Sequence, residues 1–173
     1  MTRAVLSLGS NLGDRLAHLR TVVADLGPAL TAASPVYETE AWGGVEQGPF
    51  LNAVVVAEDP EADAWAWLRR GQRLEAAAGR VREVRWGPRT LDVDVVAVFD
   101  AAGAPVCSGH PDLLLPHPGT PQRATVLRPW LDADPGAVLP GHGPVADVLA
   151  ALGPDAERGM VRRDDLPLFP GPS

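Results

Sequence analysis

The chain contains no lysine; all 15 of its basic residues are arginine. That excludes a P-loop lysine, Schiff-base chemistry and pyridoxal phosphate, and it leaves anion binding to Arg, His, backbone N–H groups or a metal ion. The single cysteine, Cys107, excludes an intrachain disulfide, a cysteine-rich zinc site and an iron–sulfur cluster. No run of 18 apolar residues exists, so no membrane span is expected. A strand-like pattern begins at Ala4 with no signal-peptide apolar stretch before it, which makes the cytoplasm the expected location. Positive charge is in short supply. Twenty-two acidic residues against 15 basic give a net charge of −7, a poor balance for non-specific nucleic-acid binding.

What is present fits one domain. A chain of 173 residues can bury roughly 70% of its unfolded surface without disulfides or metal. Ala4 to Leu8 reads as a buried strand, and a helix follows with Leu16, Leu19, Val22, Val23 and Leu26 on one stripe, stopped by Gly27-Pro28. Residues 30–39 alternate weakly around Pro35, as an edge strand would. Phe50 to Ala57 is a strand. Asp59-Pro60-Glu61 reads as a helix start, with Asp59 as N-cap. That helix carries Trp67, Leu68, Gly71, Leu74 and Ala78 on one stripe and ends near Gly79. Leu91 to Phe99 is the strongest strand pattern. A Pro-bounded helix near 121–131 and a last helix over Val145 to Leu152 complete a domain of residues 1–153. Residues 154–173 read as a mobile tail. The order β-α-β-β-α-β predicts an α+β, ferredoxin-like core: an antiparallel sheet with two helices on one face and the late helices on the other.

Five constellations could carry chemistry. Asp92 and Asp94 alternate with Leu91, Val93 and Val95, so both carboxylates leave one face of a strand. They form either a divalent-cation site or a solvated acidic face. Arg80, Arg82, Arg85 and Arg89 precede them in an otherwise acidic chain. Guanidinium forks beside a metal suit a polyphosphate; a solvated basic loop, or a nucleic-acid contact with Trp86 as stacking platform, is the competing reading. His117, between Pro116 and Pro118 and six residues before Arg123, could donate to a phosphate or ribose, or simply pack. Gly9 to Arg15 could cradle an anion, or form a tight turn in which Asn11 bonds its own backbone. Phe50 and Asn52 share a strand face; ring and amide could stack on and read a heterocycle, or form an ordinary cross-strand aromatic contact beside an edge amide. His110 and His142 read as structural.

Together the segments LGSNLGD (8–14), SPVYET (34–39), FLNA (50–53), EAAAGRVR (75–82), RWGPRTLDVD (85–94) and Pro116-His117-Pro118 with Arg123 closely resemble the 6-hydroxymethyl-7,8-dihydropterin pyrophosphokinase family. They run in family order over residues 4–140, and RWGPRTLDVD is the specific one. The resemblance implies a ferredoxin-like fold and transfer of diphosphate from ATP to the pterin hydroxymethyl group, with release of AMP, in folate biosynthesis. It implies that Asp92 and Asp94 hold two Mg²⁺ ions, with Asp92 also near the substrate. Arg80 and Arg89 then serve catalysis. Gln72, Glu75, Arg82, Arg85, Trp86, Arg89, Val95, His117 and Arg123 bind ATP, Thr39, Phe50 and Asn52 bind the pterin, and either Thr125 or Trp42 stands at its second face. Residues 82–87 become a lid closing over ATP. The chain departs from the family at Thr125, where members carry an aromatic. The expected partners are ATP and the pterin, with no nucleic acid and no membrane, and the chain is expected to be a monomer. A palm-type nucleotidyltransferase and a non-catalytic ferredoxin-like binding module are the competing classes.

Overall fold

In the computed structural model, residues 1–40, 48–79 and 90–169 are described. Two apolar faces organise the fold. Strand β1 (Thr2–Ser10) lies between β4 (Phe50–Asp59) and β5 (Asp92–Asp100), antiparallel to both. Its Ala4, Leu6 and Leu8 point one way and Val5 the other, and all are buried. The same alternation runs through β4: Leu51, Ala53, Val55 and Ala57 face one layer, Val54 and Val56 the other. Period-two alternation with both sets apolar means both faces are covered.

Helices α1 (Arg15–Leu26) and α2 (Ala64–Ala77) cover the first face with Leu19, Val22, Leu26 and Trp67. The Trp67 indole donates to Thr2 Oγ1 at 2.7 Å, and that hydroxyl donates to Ala62 C=O at 2.7 Å, so the buried ring leaves no polar orphan. Helices α3 (Ala124–Ala133) and α4 (Val145–Ala151) cover the second face with Val126, Leu127, Trp130, Val145 and Leu149. Two short hairpins flank α3: β6 (Ser108–His110) with β7 (Leu113–Leu115), and β8 (Val138–Leu139) with β9 (Gly143–Pro144).

The expected single strand over 30–39 is two, β2 (Leu30–Ala33) and β3 (Tyr37–Thr39), both on β4. Between them Ser34 takes over the ladder: its N–H donates to Val54 C=O, and its hydroxyl accepts from Val54 N–H, each at 2.9 Å. Pro35, which has no N–H to donate, falls in this break. β3 is also not the edge. Strand β10 (Met160–Arg162) pairs outside it, giving the order β10-β3-β4-β1-β5. Residues 154–169 thus hold a sheet strand where the sequence suggests a tail. Leu168 is buried against the α1–α2 layer, and Arg20 donates twice to Pro167 C=O, at 3.0 and 2.7 Å.

α2 starts later than expected. Asp59 still belongs to β4, and its carboxylate accepts from Glu61 N–H in a local turn. The N-cap is Asp63, accepting from Ala66 N–H at 2.8 Å. Both acids obey the same capping chemistry; β4 running on to residue 59 decides between them.

Candidate active site

Directly paired residues of an antiparallel ladder project from the same face. Asn52 pairs with Gly9, and Gly9 with Asp92; one step away Val54 pairs with Ser7, and Ser7 with Asp94. Thr39 pairs with Phe50. Asp92, Asp94, Asn52, Phe50 and Thr39 therefore rise from the α3–α4 face, at the end beyond the apolar contact with α3. Val93 and Val95 are buried on the α1–α2 side, as the alternation predicted. Any nucleotide contact by Val95 is left to its main chain.

Gly9 keeps the floor of this face low. A Cβ there would stand 3.2 Å from Asn52 Nδ2 and 3.6 Å from the Phe50 ring. Thr39 Oγ1 donates to Asn52 Oδ1 at 2.5 Å. That bond fixes the amide so that Nδ2 is turned to the floor as a donor. A flat ring with acceptor atoms on its edge fits a floor with no side chain, an oriented amide and an aromatic ring.

A β-bulge places His117. The β1–β5 register jumps from Leu6↔Val95 to Val5↔Ala97, leaving Val96 as the extra residue. Val96 C=O accepts from His117 N–H at 2.8 Å. The turn that follows is held by Thr120 N–H to His117 C=O (3.2 Å) and Arg123 N–H to Thr120 C=O (3.1 Å). Gly119 makes room for the guanidinium: a Cβ there would lie 2.9 Å from Arg123 Nε. Burial lowers the His117 pKa below the ordinary 6.5; the Arg123 charge lowers it further, and Asp92 opposes both. The imidazole is neutral at pH 7 and can donate to an anion without bringing a full charge.

Glu75 sits on the other layer. Gly71 lets α2 approach β5 closely, since a Cβ there would meet Val93 Cγ1 at 3.1 Å. One turn on, the Glu75 side chain is buried and its Oε2 accepts from Val93 N–H at 3.0 Å. Gln72, also expected to bind ATP, is exposed. Asn11 Nδ2 donates to Gly48 C=O at 3.1 Å, tying the β1–α1 turn to the approach of β4. Asp14 caps α1 through Ala17 N–H.

Thr125, in the first turn of α3, lines a cavity of about 380 Å³ with Thr39, Arg123, Gly159 and Met160. The structure thus gathers Asp92, Asp94, Asn52, Phe50, Thr39, His117, Arg123 and Thr125 around one end of the sheet, and leaves Gln72, Glu75 and Val95 on or toward the opposite layer. Trp42, Arg80, Arg82, Arg85, Trp86 and Arg89, and with them the 82–87 lid, lie outside the described residues. The sequence reading missed what Gly9 and Gly119 make room for, and that Met160 lines this cavity; each depends on a register or a close approach that composition does not display.

The two aspartates fit a hard divalent cation. Both offer oxygen donors from one strand face. Among the described residues no group of three or more His, Cys, Asp or Glu could hold a metal. A cation here would complete its shell with phosphate oxygens and water, the usual habit of Mg²⁺. No helix among the described residues is long and apolar enough to cross a membrane.

Comparison with known proteins places the chain in a family. The family model of 7,8-dihydro-6-hydroxymethylpterin-pyrophosphokinase matches residues 5–135. The 2-amino-4-hydroxy-6-hydroxymethyldihydropteridine pyrophosphokinase of Mycobacterium tuberculosis (strain ATCC 25618 / H37Rv) is 54% identical over 169 residues, covering 94% of this chain and 89% of the relative. The enzyme of the same name from Bacillus subtilis (strain 168) is 38% identical over 130 residues, covering 73% and 74%. Among solved structures, an HPPK-DHPS in complex with substrates superposes with a TM-score of 0.67 at 12% identity, over 93% of this chain and 46% of that one. Plasmodium falciparum HPPK-DHPS wild type gives 0.64 at 12% identity, over 93% and 48%. This chain spans about half the length of those two, and the likeness to them concerns the fold.

Proposed function

Since the chain belongs to the 7,8-dihydro-6-hydroxymethylpterin-pyrophosphokinase family, we propose that the end of the sheet around Gly9 is where it carries out that family's reaction. The enzyme is a pyrophosphokinase: it transfers diphosphate from ATP to the hydroxymethyl group of hydroxymethyldihydropterin, a step of folate synthesis. The observation that carries the site is the register Asn52–Gly9–Asp92, which sets a heterocycle reader and a metal-type carboxylate on either side of a bare floor. The strand order, with two helices on each face, supports a ferredoxin-like core.

The pterin lies with its edge on Asn52 Nδ2 and one face against the Thr39 side of the Phe50 ring, and the Gly9 floor leaves the way open toward Asp92. Its hydroxymethyl oxygen then points toward Asp92, in register on the next strand. That oxygen attacks the β-phosphorus of ATP. The new O–Pβ bond replaces the bridge to the α-phosphate, the hydroxyl proton passes to water, and AMP departs with the bridging oxygen. Asp92 and Asp94 would hold two Mg²⁺ ions, which supply neutralisation of about four phosphate charges. His117 and Arg123, fixed by the bulge and the turn after it, donate to phosphate oxygens as neutral and charged donors. Arg80, Arg82, Arg85 and Arg89 add guanidinium forks, Trp86 and residues 82–87 close over the nucleotide, and Gln72 with Glu75 support its far side. The enzyme works as a cytoplasmic monomer.

Chromatography of ATP incubated with the pterin and Mg²⁺ tests the reading. AMP formed in step with the pterin diphosphate is expected. Pyrophosphate as the product would indicate a nucleotidyltransferase, and no turnover a binding module.

A further inference from the structure

The cavity beside the proposed pterin floor has an unexpected wall. Met160 of β10 is the register partner of Thr39, and Thr39 is the partner of Phe50. The three side chains therefore rise from one face in a row across three strands. Strand spacing of about 4.8 Å puts the Met160 and Phe50 backbones roughly 10 Å apart across Thr39. That is a slot with Thr39 at its base, an aromatic ring on one side and a thioether on the other. The cavity of about 380 Å³ is lined by Thr39, Thr125, Gly159 and Met160. Met160 is partly buried, its other side packed on the α3–α4 core. Its position is built. Arg163, three residues on, donates N–H to Val36 C=O at 2.8 Å and pairs with Glu38 at 3.2 Å, locking the register of β10 on β3. Thr125, overhead in α3, offers only a methyl and a hydroxyl.

We infer that Met160 supplies the second apolar face of the pterin slot, opposite Phe50, so that the C-terminal strand is part of the substrate site. This rests on the proposed placement of the pterin against Asn52 and Phe50, above Thr39. A thioether is polarisable and unbranched, and it contacts aromatic systems favourably. It can therefore press on a flat heterocycle from a strand where a ring would be too wide. Met160 becomes a residue setting affinity for the pterin and leaving ATP untouched.

The chain has two methionines, Met1 and Met160, which makes the test direct. Protein labelled with ¹³C at the methionine methyls gives two signals, and the one missing in Met160→Leu is Met160. Pterin added with Mg²⁺ and a non-hydrolysable ATP analogue should move the Met160 methyl by the ring current of the heterocycle and leave Met1 in place. Met160→Ala should raise the pterin KM about fivefold with the ATP KM unchanged, and Met160→Leu, which keeps the packing on α3–α4, should restore most of the loss. Asn52→Ala is the control for the pocket itself. If Asn52→Ala weakens the pterin while the Met160 methyl stays still and Met160→Ala binds normally, the inference is wrong and the pocket stands. If Asn52→Ala binds the pterin as the wild type does, the pocket placement is wrong, and the inference falls with it.

Discussion

Asp92 and Asp94 are two like charges on adjacent positions of one strand face, an arrangement that repels unless something positive joins them. Replacing either by Asn keeps size, turns one acceptor oxygen into a donor and removes one charge. The fold should persist and turnover should nearly vanish. A variant retaining more than about a tenth of the wild-type rate at saturating Mg²⁺, a loss below ~1.4 kcal/mol of transition-state stabilisation, would remove that residue from the metal set. Gly9 makes the opposite kind of prediction, because its two effects have different signs. Ala in place of a strand glycine lowers unfolded-state entropy, by about 0.4–1 kcal/mol in favour of the fold where the site tolerates it. Here the new Cβ would sit 3.2 Å from Asn52 Nδ2. Gly9→Ala should leave the melting temperature level or slightly raised and weaken pterin binding about tenfold, near 1.4 kcal/mol by calorimetry. Unchanged affinity would take Gly9 out of the floor. The aspartates were legible because period two is written in the sequence. Gly9 was not, because only the pairing of β1 with β4 shows what its missing side chain makes room for.

At the scale of elements, the bulge at Val96 turns a strand irregularity into a docking point for His117. The imidazole pKa is lowered by burial first and by Arg123 second, against Asp92. A depressed histidine pKa means that, below about pH 6.5, the unfolded chain binds a proton the folded chain refuses. Stability is therefore complete above the ordinary pKa and is lost as pH falls toward the depressed folded value. In metal-free protein, the melting temperature should drop between pH 7 and pH 5 more steeply for wild type than for His117→Asn. Parallel pH profiles would show that the histidine is not held neutral by its surroundings. The bulge could not be read from Val95-Val96-Ala97, which looks like uninterrupted strand. The break at Ser34-Pro35 was not legible: Pro35 reads as the mark of an edge strand, and only the pairing with β4 shows that it falls in a break bridged by Ser34. The start of α2 was misread because Asp59 and Asp63 carry the same capping signal, and only the length of β4 separates them.

Across the whole molecule, residues 154–169 bind the two layers and the site into one unit. β10 covers the outer side of β3. Arg163 and Arg15 share the Glu38 carboxylate, at 3.2 and 2.9 Å, so the C-terminal segment, β3 and the start of α1 meet at one charge. These partly exposed pairs contribute little individually, about 0–1 kcal/mol each. Burial of Leu168 contributes more, about 1.5–3 kcal/mol. A polar, proline-bearing composition made this stretch look unstructured; its ordering comes from a partner strand and a hydrophobic seat, neither encoded within the segment. Deleting residues 154–173 should therefore cost about 3–4 kcal/mol, some 10 °C in melting temperature for a domain of this size. It should also leave β3 as an open edge prone to association. The same truncation removes Met160, so pterin affinity should fall while ATP binding through the β5 and His117 side holds. A truncated protein that melts with the full chain and binds the pterin equally well would mean that the segment covers the sheet without supporting it. Loss of stability with unchanged pterin affinity would confine the segment to a structural role.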